Sequence, residues 1–434
     1  MHNLTDLSLF TRRRFLQTTI LGGAIAPTVP AFVSRTLAAL EATAGGMIAP
    51  ATGRDDTILI ILQLAGGNDG LNTVVPFADD AYHRARPGLA VAADKVSRLD
   101  DYCGLHPALH GIARLAGEGH ATIVQGVGYP NPNRSHFRST EIWHTASDAS
   151  QREPYGWLGR FCDAACSGDD PGPAIAVGGQ MPQILRSASG SAISIGAPKD
   201  FAFHNGMVPP SEEPDDDADA PEGGAVDALF GAMPPEEDLV GFLQRTALDA
   251  VASSTRVHQI IAKAHVGPSY PATELGKRLE LVARLIGGGL TSRIYYVSLG
   301  GFDTHANQKG AHENRLSVFD DAIDAFCTDL RGQGNFDRVM VMTFSEFGRR
   351  VAENASGGTD HGAAAPVFLF GGALRGGLFG RHPSLTDLQR GDLVHSTDFR
   401  SVYATLLEQW LRTPSEQILG KTFAQLPLLR TAGV

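Results

Sequence analysis

Five short, almost wholly apolar runs, separated by amphipathic stretches, constrain the fold of this chain most strongly. They occupy residues 57–64, 121–127, 293–299, 338–344 and 366–370. A run that is apolar at every position is typical of a parallel strand buried on both faces. Because such strands alternate here with helical patterns, we predict an α/β fold, with a mostly parallel central sheet and helices on both of its faces.

The predicted helices are stretches in which apolar residues recur at helical spacing. They include residues 105–117, 238–264 and 274–286, and a further helix that ends before residue 338. Residues 209–224 break this pattern, since acidic residues stand there among prolines and alanines. We predict a solvated loop, flexible in solution; a calcium loop is the alternative, although the spacing of an EF-hand is absent.

The N-terminal residues resemble an export signal. Arg12 and Arg13 precede Phe15 and Leu16, and a modest apolar stretch follows that glycines and prolines interrupt. We interpret residues 1–45 as a twin-arginine signal peptide, with an ordinary secretory signal as the alternative, and residues 46–434 as the folded α/β domain. The expected partner is the twin-arginine translocase, and the expected location is the periplasm or the exterior of a bacterium.

Composition excludes two classes of partner. The formal net charge is −11 and no basic run occurs, which argues against nucleic-acid binding. No stretch after the signal is long and apolar enough to predict stable insertion into a membrane. The four cysteines lack zinc-finger spacing, so we expect buried apolar residues or one disulfide rather than metal ligands.

Acidic and histidine side chains stand beside the ends of four predicted strands. The candidate metal ligands are Asp69, Asp303, His305, Glu346, Asp360 and His361. Open α/β sheets place their ligands at the carboxyl ends of strands, and such oxygen and imidazole groups suit one or two divalent ions of Zn, Mn, Ca or Mg. Asp360 could bind metal itself or orient the His361 ring. Structural alternatives remain open: a tight turn for Asp69, a metal-free Asp303–His305 pair, a salt bridge from Glu346 to a nearby arginine, and a helix-cap or loop aspartate beside a surface histidine for Asp360 and His361.

A candidate nucleophile precedes another predicted helix. Ser135 opens this helix, where free N–H groups and the helix dipole favour an anion. Arg134 and Arg138 add positive charge, so we expect a small anionic ester substrate that Ser135 attacks. The alternative is that Ser135 is an ordinary N-cap and that His136 is a surface residue.

These segments resemble the domain-of-unknown-function 1501 family. The resemblance is carried by residues 64–72, 301–305, 343–349 and 358–362. That family is grouped with the alkaline phosphatase-like superfamily, which includes sulfatases. The resemblance implies a three-layer α/β/α sandwich, two metal ions, and a serine, threonine or modified cysteine nucleophile. It also implies that Asp69, Asp303, His305 and His361 bind metal and that Ser135 is the nucleophile.

The chain departs from the superfamily pattern at three places. Glu346 and Phe347 stand where the superfamily usually has Asp-His, so one imidazole is missing. The spacing of Asp303 and His305 is short, and Ser135 lacks the surroundings of formylglycine sulfatases. We therefore hypothesise an exported metal-dependent hydrolase of phosphate or sulfate esters. The alternative is a non-catalytic periplasmic binding or assembly protein with a degenerate metal site; a cell-wall or carbohydrate-processing protein is a weaker idea.

Overall fold

The strands form one large sheet and two small ones. The structure is a computed structural model that describes residues 57–165, 174–188, 192–195 and 267–430. Its strands are β1 Ile58–Leu64, β2 Val74–Val75, β3 Ser97–Arg98, β4 Gly104–Leu105, β5 Ala121–Gly128, β6 Ala174–Val177, β7 Ala192–Ile195, β8 Ile294–Leu299, β9 Val339–Phe344, β10 Ala365–Phe370, β11 Gly377–Phe379, β12 Leu388–Gln389, β13 Asp392–Leu393 and β14 Thr397–Asp398.

The helices lie mostly between these strands in the chain. They are α1 Gly70–Thr73, α2 Asp80–Ala85, α3 His110–Gly117, α4 His136–Thr145, α5 Trp157–Ala165, α6 Glu274–Gly287, α7 Gln308–Gly332, α8 Phe399–Thr405 and α9 Ser415–Leu419. A π-helical turn, Leu406–Trp410, follows α8. The predicted signal peptide, the predicted loop at 209–224 and the predicted helix at 238–264 lie outside the described residues.

The central sheet is mostly parallel. Its strand order is β11-β5-β10-β9-β1-β8-β6-β7, and β14 pairs with β5. Strand β1 is parallel to both neighbours, with Leu59 opposite Ile294 on β8 and Met340 on β9. All five predicted strands are present, and the predicted α/β class with a mostly parallel central sheet is confirmed.

Helices cover both faces of the sheet because the strands alternate their side chains between two cores. On β1, Ile60 and Leu62 face the core that α3, α6 and α7 line. Leu59 and Ile61 face the opposite core, which α4, α5 and α8 line. Every residue of β1 is buried. Each buried aliphatic side chain contributes roughly 1.5–3 kcal/mol, so the apolar runs hold the sheet between its two helical layers.

Strand β10 runs antiparallel to both of its neighbours, β5 and β9. Its N-terminal end therefore lies at the edge of the sheet where the parallel strands β1, β8 and β9 have their C-terminal ends. This reversal explains why a segment that precedes a strand, residues 358–362, meets segments that follow strands. Among the described residues, no helix has both the length and the apolar composition needed to cross a membrane.

Candidate metal centre

Four loops meet at this edge of the sheet, and glycines allow their backbones to touch. Gly66 has a φ of +120°, and a Cβ placed there would lie 2.4 Å from the backbone nitrogen of Asp303. A Cβ at Gly358 would lie 2.3 Å from the carbonyl carbon of His305. Both distances are too short for any side chain, so these glycines are required for the close approach of the loops.

The loop after β9 holds the loop after β1 in place. The hydroxyl of Ser345 donates to the carbonyl of Leu64 at 2.6 Å and accepts from the N–H of Asn68 at 2.8 Å. The N–H of Gly66 donates to Glu346 Oε1 at 2.8 Å. This backbone hydrogen bond fixes the position of the Glu346 carboxylate.

Three imidazoles surround one carboxylate at the mouth of these loops. His305 Nε2 lies 3.1 Å and His361 Nε2 3.2 Å from Asp303 Oδ1, while His136 Nε2 lies 3.5 Å from Asp303 Oδ2. The Nε2 atoms of His305 and His361 are 2.9 Å apart. We call His136, Asp303, His305 and His361 the histidine cluster. Ligand atoms of His136, Asp303 and His361 lie within 4.8 Å of one another.

The tautomer of His361 is set by a backbone carbonyl. His361 Nδ1 lies 2.8 Å from the carbonyl oxygen of Arg134, and because a carbonyl can only accept, Nδ1 carries the proton. Partial burial lowers the pKa of His361 below its ordinary value, although Asp303 opposes the shift. The neutral ring therefore turns the lone pair of Nε2 towards Asp303 and His305, as a metal ligand does.

The other two imidazoles have carboxylates on their outer side. His136 Nδ1 lies 2.8 Å from Glu346 Oε1, and His305 Nδ1 lies 3.6 Å from Asp360 Oδ1. A carboxylate behind Nδ1 orients the ring and leaves Nε2 to face the centre. Glu346, which we predicted as a ligand, thus lies behind His136 rather than among the Nε2 atoms. Asp360, which we predicted either as a ligand or as the carboxylate that orients His361, lies behind His305.

Asp303 keeps its negative charge beside a buried guanidinium. Burial alone would raise the pKa of Asp303, but Arg349, which donates to it at 2.8 Å, and the neighbouring imidazoles together outweigh this effect and lower the pKa to about 2. Arg349 also donates to the carbonyls of Gly67 at 2.6 Å and Thr359 at 2.8 Å. One side chain therefore ties three loops together and fixes Asp303, whose side chain remains 47% exposed.

The donor set of the histidine cluster fits a divalent transition metal. Three imidazole nitrogens and one carboxylate oxygen match the ligand types of zinc and manganese sites. His136 was not predicted as a ligand, because its position one residue after a helix start gives no sign of where its ring points. Phe347 stands where the sequence resemblance implies a histidine, and its ring centroid lies 4.9 Å from that of His136.

Asp69 is not part of this group. Its carboxylate is fully buried, and Oδ2 accepts hydrogen bonds from Arg86 at 2.5 Å and from Gln308. Burial alone would raise the pKa of Asp69, but the charge and hydrogen bond of Arg86, together with His312 and Gln308, outweigh this effect and lower it. The structure therefore places Asp69 in a buried ion pair beneath the loops.

Ser135 occupies the N-cap position of helix α4 at the edge of the site. The residue is exposed, and its N–H donates to Asn133 Oδ1 at 2.8 Å. Within the described part of the chain, its hydroxyl makes no capping hydrogen bond to the helix. The next residue, His136, belongs to the histidine cluster, so α4 brings Ser135 to the border of the proposed metal site.

The two arginines that flank Ser135 already have carboxylate partners. Arg134 pairs with Asp392, whose carboxylate is largely buried. Arg138 pairs with Glu141 at 2.8 Å and donates to backbone carbonyls of the following loop. An anionic substrate would therefore have to compete with these carboxylates for either guanidinium.

A comparison with protein families finds a match to part of the chain. Residues 238–419 match the family described as "Protein of unknown function (DUF1501)". The predicted family resemblance is confirmed over these residues, which include Asp303, His305 and His361. A search of curated proteins found no significant match.

Several solved structures are similar at low identity. A protein in the alkaline phosphatase superfamily from Vibrio parahaemolyticus is 8% identical, with 85% of this chain and 71% of that chain covered and a TM-score of 0.38. The lipoteichoic acid synthase LtaP from Listeria monocytogenes is 9% identical, with 75% and 66% covered and a TM-score of 0.32. The periplasmic domain of EcEptC from Escherichia coli, in complex with Zn, is 7% identical, with 73% of each chain covered and a TM-score of 0.32.

Proposed function

We propose that this protein is a metal-dependent hydrolase of phosphate or sulfate esters. One observation carries the proposal: three imidazoles turn Nε2 towards Asp303, and each has an oxygen atom behind Nδ1. That arrangement suits a bound cation better than a surface charge network, which would not need three oriented rings. The family resemblance supplies the ester class of the substrate.

His136, Asp303, His305 and His361 would hold the cation. We propose Zn or Mn rather than Ca or Mg, because imidazole nitrogens predominate and calcium and magnesium prefer oxygen ligands. A divalent cation at this position would neutralise the charge that develops on an ester oxygen. The exposed side of Asp303 and His305 leaves the cluster open to solvent, as a catalytic site requires.

Ser135 is the proposed nucleophile. It is exposed, it precedes a cluster histidine, and it stands at the N-terminus of α4, whose dipole favours an anion beside it. The hydroxyl would attack phosphorus or sulfur and release the alcohol, and water would then hydrolyse the serine ester. Arg134 is the proposed anion contact next to it, through exchange of its Asp392 partner, with Arg138 as the second candidate.

The test compares Ser135→Ala with the wild-type protein. Both are loaded with Zn or Mn and assayed on aryl phosphate and aryl sulfate esters, and their metal content is measured. We expect hydrolysis by the wild type and loss of about 10³-fold or more in Ser135→Ala, with metal retained. Ser317→Ala on helix α7, where the hydroxyl donates to the carbonyl of Glu313, is the matched control and should keep full activity. Unchanged turnover in Ser135→Ala would remove Ser135 from the mechanism.

A non-catalytic binding or assembly protein is the second candidate. Two observations favour it: Arg349 occupies one oxygen of Asp303, and Phe347 replaces an imidazole. A protein that binds one equivalent of metal, and binds inorganic phosphate, but hydrolyses neither class of ester would support this candidate over the first.

We propose further that the protein is exported through the twin-arginine route, on the basis of Arg12 and Arg13. Replacement of both by lysine should leave the protein in the cytoplasm, as cell fractionation would show, while single substitutions at Arg14 should still be exported. Equal export of the double variant would favour an ordinary secretory signal.

A further inference from the structure

The environment of Asp69 differs from that of a metal ligand. Arg86 donates to Asp69 Oδ2 at 2.5 Å and to Asn72 Oδ1 at 2.9 Å. It donates also to the carbonyl oxygens of Val351 and Arg350, each at 2.9 Å. The guanidinium is fully buried and donates to four acceptor oxygens, so its charge stays beside the Asp69 carboxylate.

Few further atoms that could bind a cation surround that carboxylate. Gln308 turns its amide nitrogen, not its oxygen, towards Asp69, and its oxygen accepts from the hydroxyl of Thr359 at 2.6 Å. The neighbouring amide oxygen of Asn68 lies 2.9 Å from His312 Nε2. Asp69 Oδ1 has no hydrogen-bond partner among the described residues. One carboxylate oxygen is far short of the four or more ligands that a divalent cation takes.

A cation beside Asp69 would also face the charge of Arg86. Two positive groups in a buried, low-dielectric region repel strongly, and Arg86 and Asp69 are both fully buried. Arg86 could not withdraw without breaking its three other hydrogen bonds, to Asn72, Arg350 and Val351. The residues at Asp69 therefore do not fit the second metal ion that the family resemblance implies.

We infer that this chain binds one divalent cation, in the histidine cluster, and that the Arg86 guanidinium supplies the positive charge at Asp69 that the resemblance assigns to a second ion. The inference rests on the proposed function, because it takes the histidine cluster as the seat of the one cation. It predicts that the bound ion is kept when the Asp69 carboxylate is removed and lost when the His361 imidazole is removed.

The experiment measures bound metal per chain in the wild type, Asp69→Asn and His361→Asn. Each protein is stripped with chelator, titrated with Zn²⁺ or Mn²⁺ alone, dialysed, and analysed by plasma mass spectrometry. We expect one tightly bound ion in the wild type, one in Asp69→Asn, and none in His361→Asn. Asparagine keeps the shape of the aspartate and can still accept from Arg86, which makes it the mildest removal of the charge.

Each other outcome overturns the inference. Two ions in the wild type, of which Asp69→Asn loses one, would establish a second site and leave the metal-dependent function intact. One ion that is lost in Asp69→Asn but kept in His361→Asn would place the single site at Asp69. No ion in the wild type would overturn both the inference and the proposed function. If Asp69→Asn does not fold, the other two proteins decide the test. The inference then requires one bound ion in the wild type and no bound ion in His361→Asn.

Discussion

The histidine cluster and the Asp69–Arg86 pair lie at the same edge of the sheet but differ in the surroundings of their aspartates. In both, an aspartate follows a glycine-rich turn after a parallel strand, and a guanidinium donates to it. Asp303 is half-exposed and faces three imidazoles, whereas Asp69 is fully buried and its charge is matched by Arg86. The position of an aspartate after a strand therefore does not decide whether it binds metal.

The difference lies in which face of the carboxylate remains open. Arg349 reaches Asp303 from within the protein and leaves the side towards His136 and solvent accessible. Arg86 and Gln308 both engage Oδ2 of Asp69 inside the protein, where solvent does not reach. The first arrangement positions a ligand, and the second neutralises a charge and connects α2 to the loop before α1.

Arg86→Met should have the largest effect on stability. It leaves the Asp69 carboxylate buried without its counter-charge, so we expect the free energy of unfolding to fall by about 3–5 kcal/mol. Urea unfolding measures this change. Arg84→Met, two residues away in an exposed ion pair with Asp80, is the control and should cost roughly 0–1 kcal/mol.

A double variant sharpens the same comparison. Asp69→Leu combined with Arg86→Met removes both charges, so the combined loss should be smaller than the sum of the two single losses. Additive losses would mean that the pair contributes no interaction energy, and the contrast with the histidine cluster would then lose its electrostatic basis.

His361→Ala should leave the fold intact and weaken metal binding. Removal of an imidazole ligand should lower the affinity for Zn²⁺ by about 100-fold or more, which corresponds to about 2.7 kcal/mol. Calorimetric titration measures the affinity, and His110→Ala, an exposed histidine at the start of α3, is the control. An affinity that is the same in both variants would show that the cation binds outside the histidine cluster.

His144 tests what burial does to an imidazole whose Nε2 has no hydrogen-bond partner among the described residues. Its ring lies in the core on α4, and burial lowers its pKa to about 3. Because the unfolded chain takes up this proton near pH 6.5 and the folded chain does not, stability is full above that pH and falls by about 1.4 kcal/mol per pH unit below it. His144→Phe should remove this pH-dependent loss, so that at about pH 5 its free energy of unfolding should rise by about 2 kcal/mol relative to the wild type. Urea unfolding of both proteins at about pH 5 and at about pH 7.5 measures the change. An unchanged difference between the two pH values would mean that His144 is already protonated, or stays neutral in both states.

The strands and part of the site could be predicted from the sequence for a physical reason. An apolar run buried on both faces has few other places in a fold, and glycine-rich turns after such strands bring Asp303 and His305 to one edge. The partner of Asp69 could not be predicted in this way, because the contact with Arg86 depends on the course that the chain takes after α1. The role of His136 was missed for a similar reason, since the direction of its ring depends on how α4 packs against the loop of Glu346.

Asp360→Asn should have the smallest effect of these changes. Asp360 lies 3.6 Å from His305 Nδ1 and is half-exposed, so water can replace part of its interaction with the ring. We expect the Zn²⁺ affinity to fall by about 10-fold, at the low end for a carboxylate that orients a ligand. Titration of Asp360→Asn beside His361→Ala then separates orientation from ligation. A loss as large as that of His361→Ala would mean that Asp360 itself binds the cation, as its position beside His361 in the sequence first suggested.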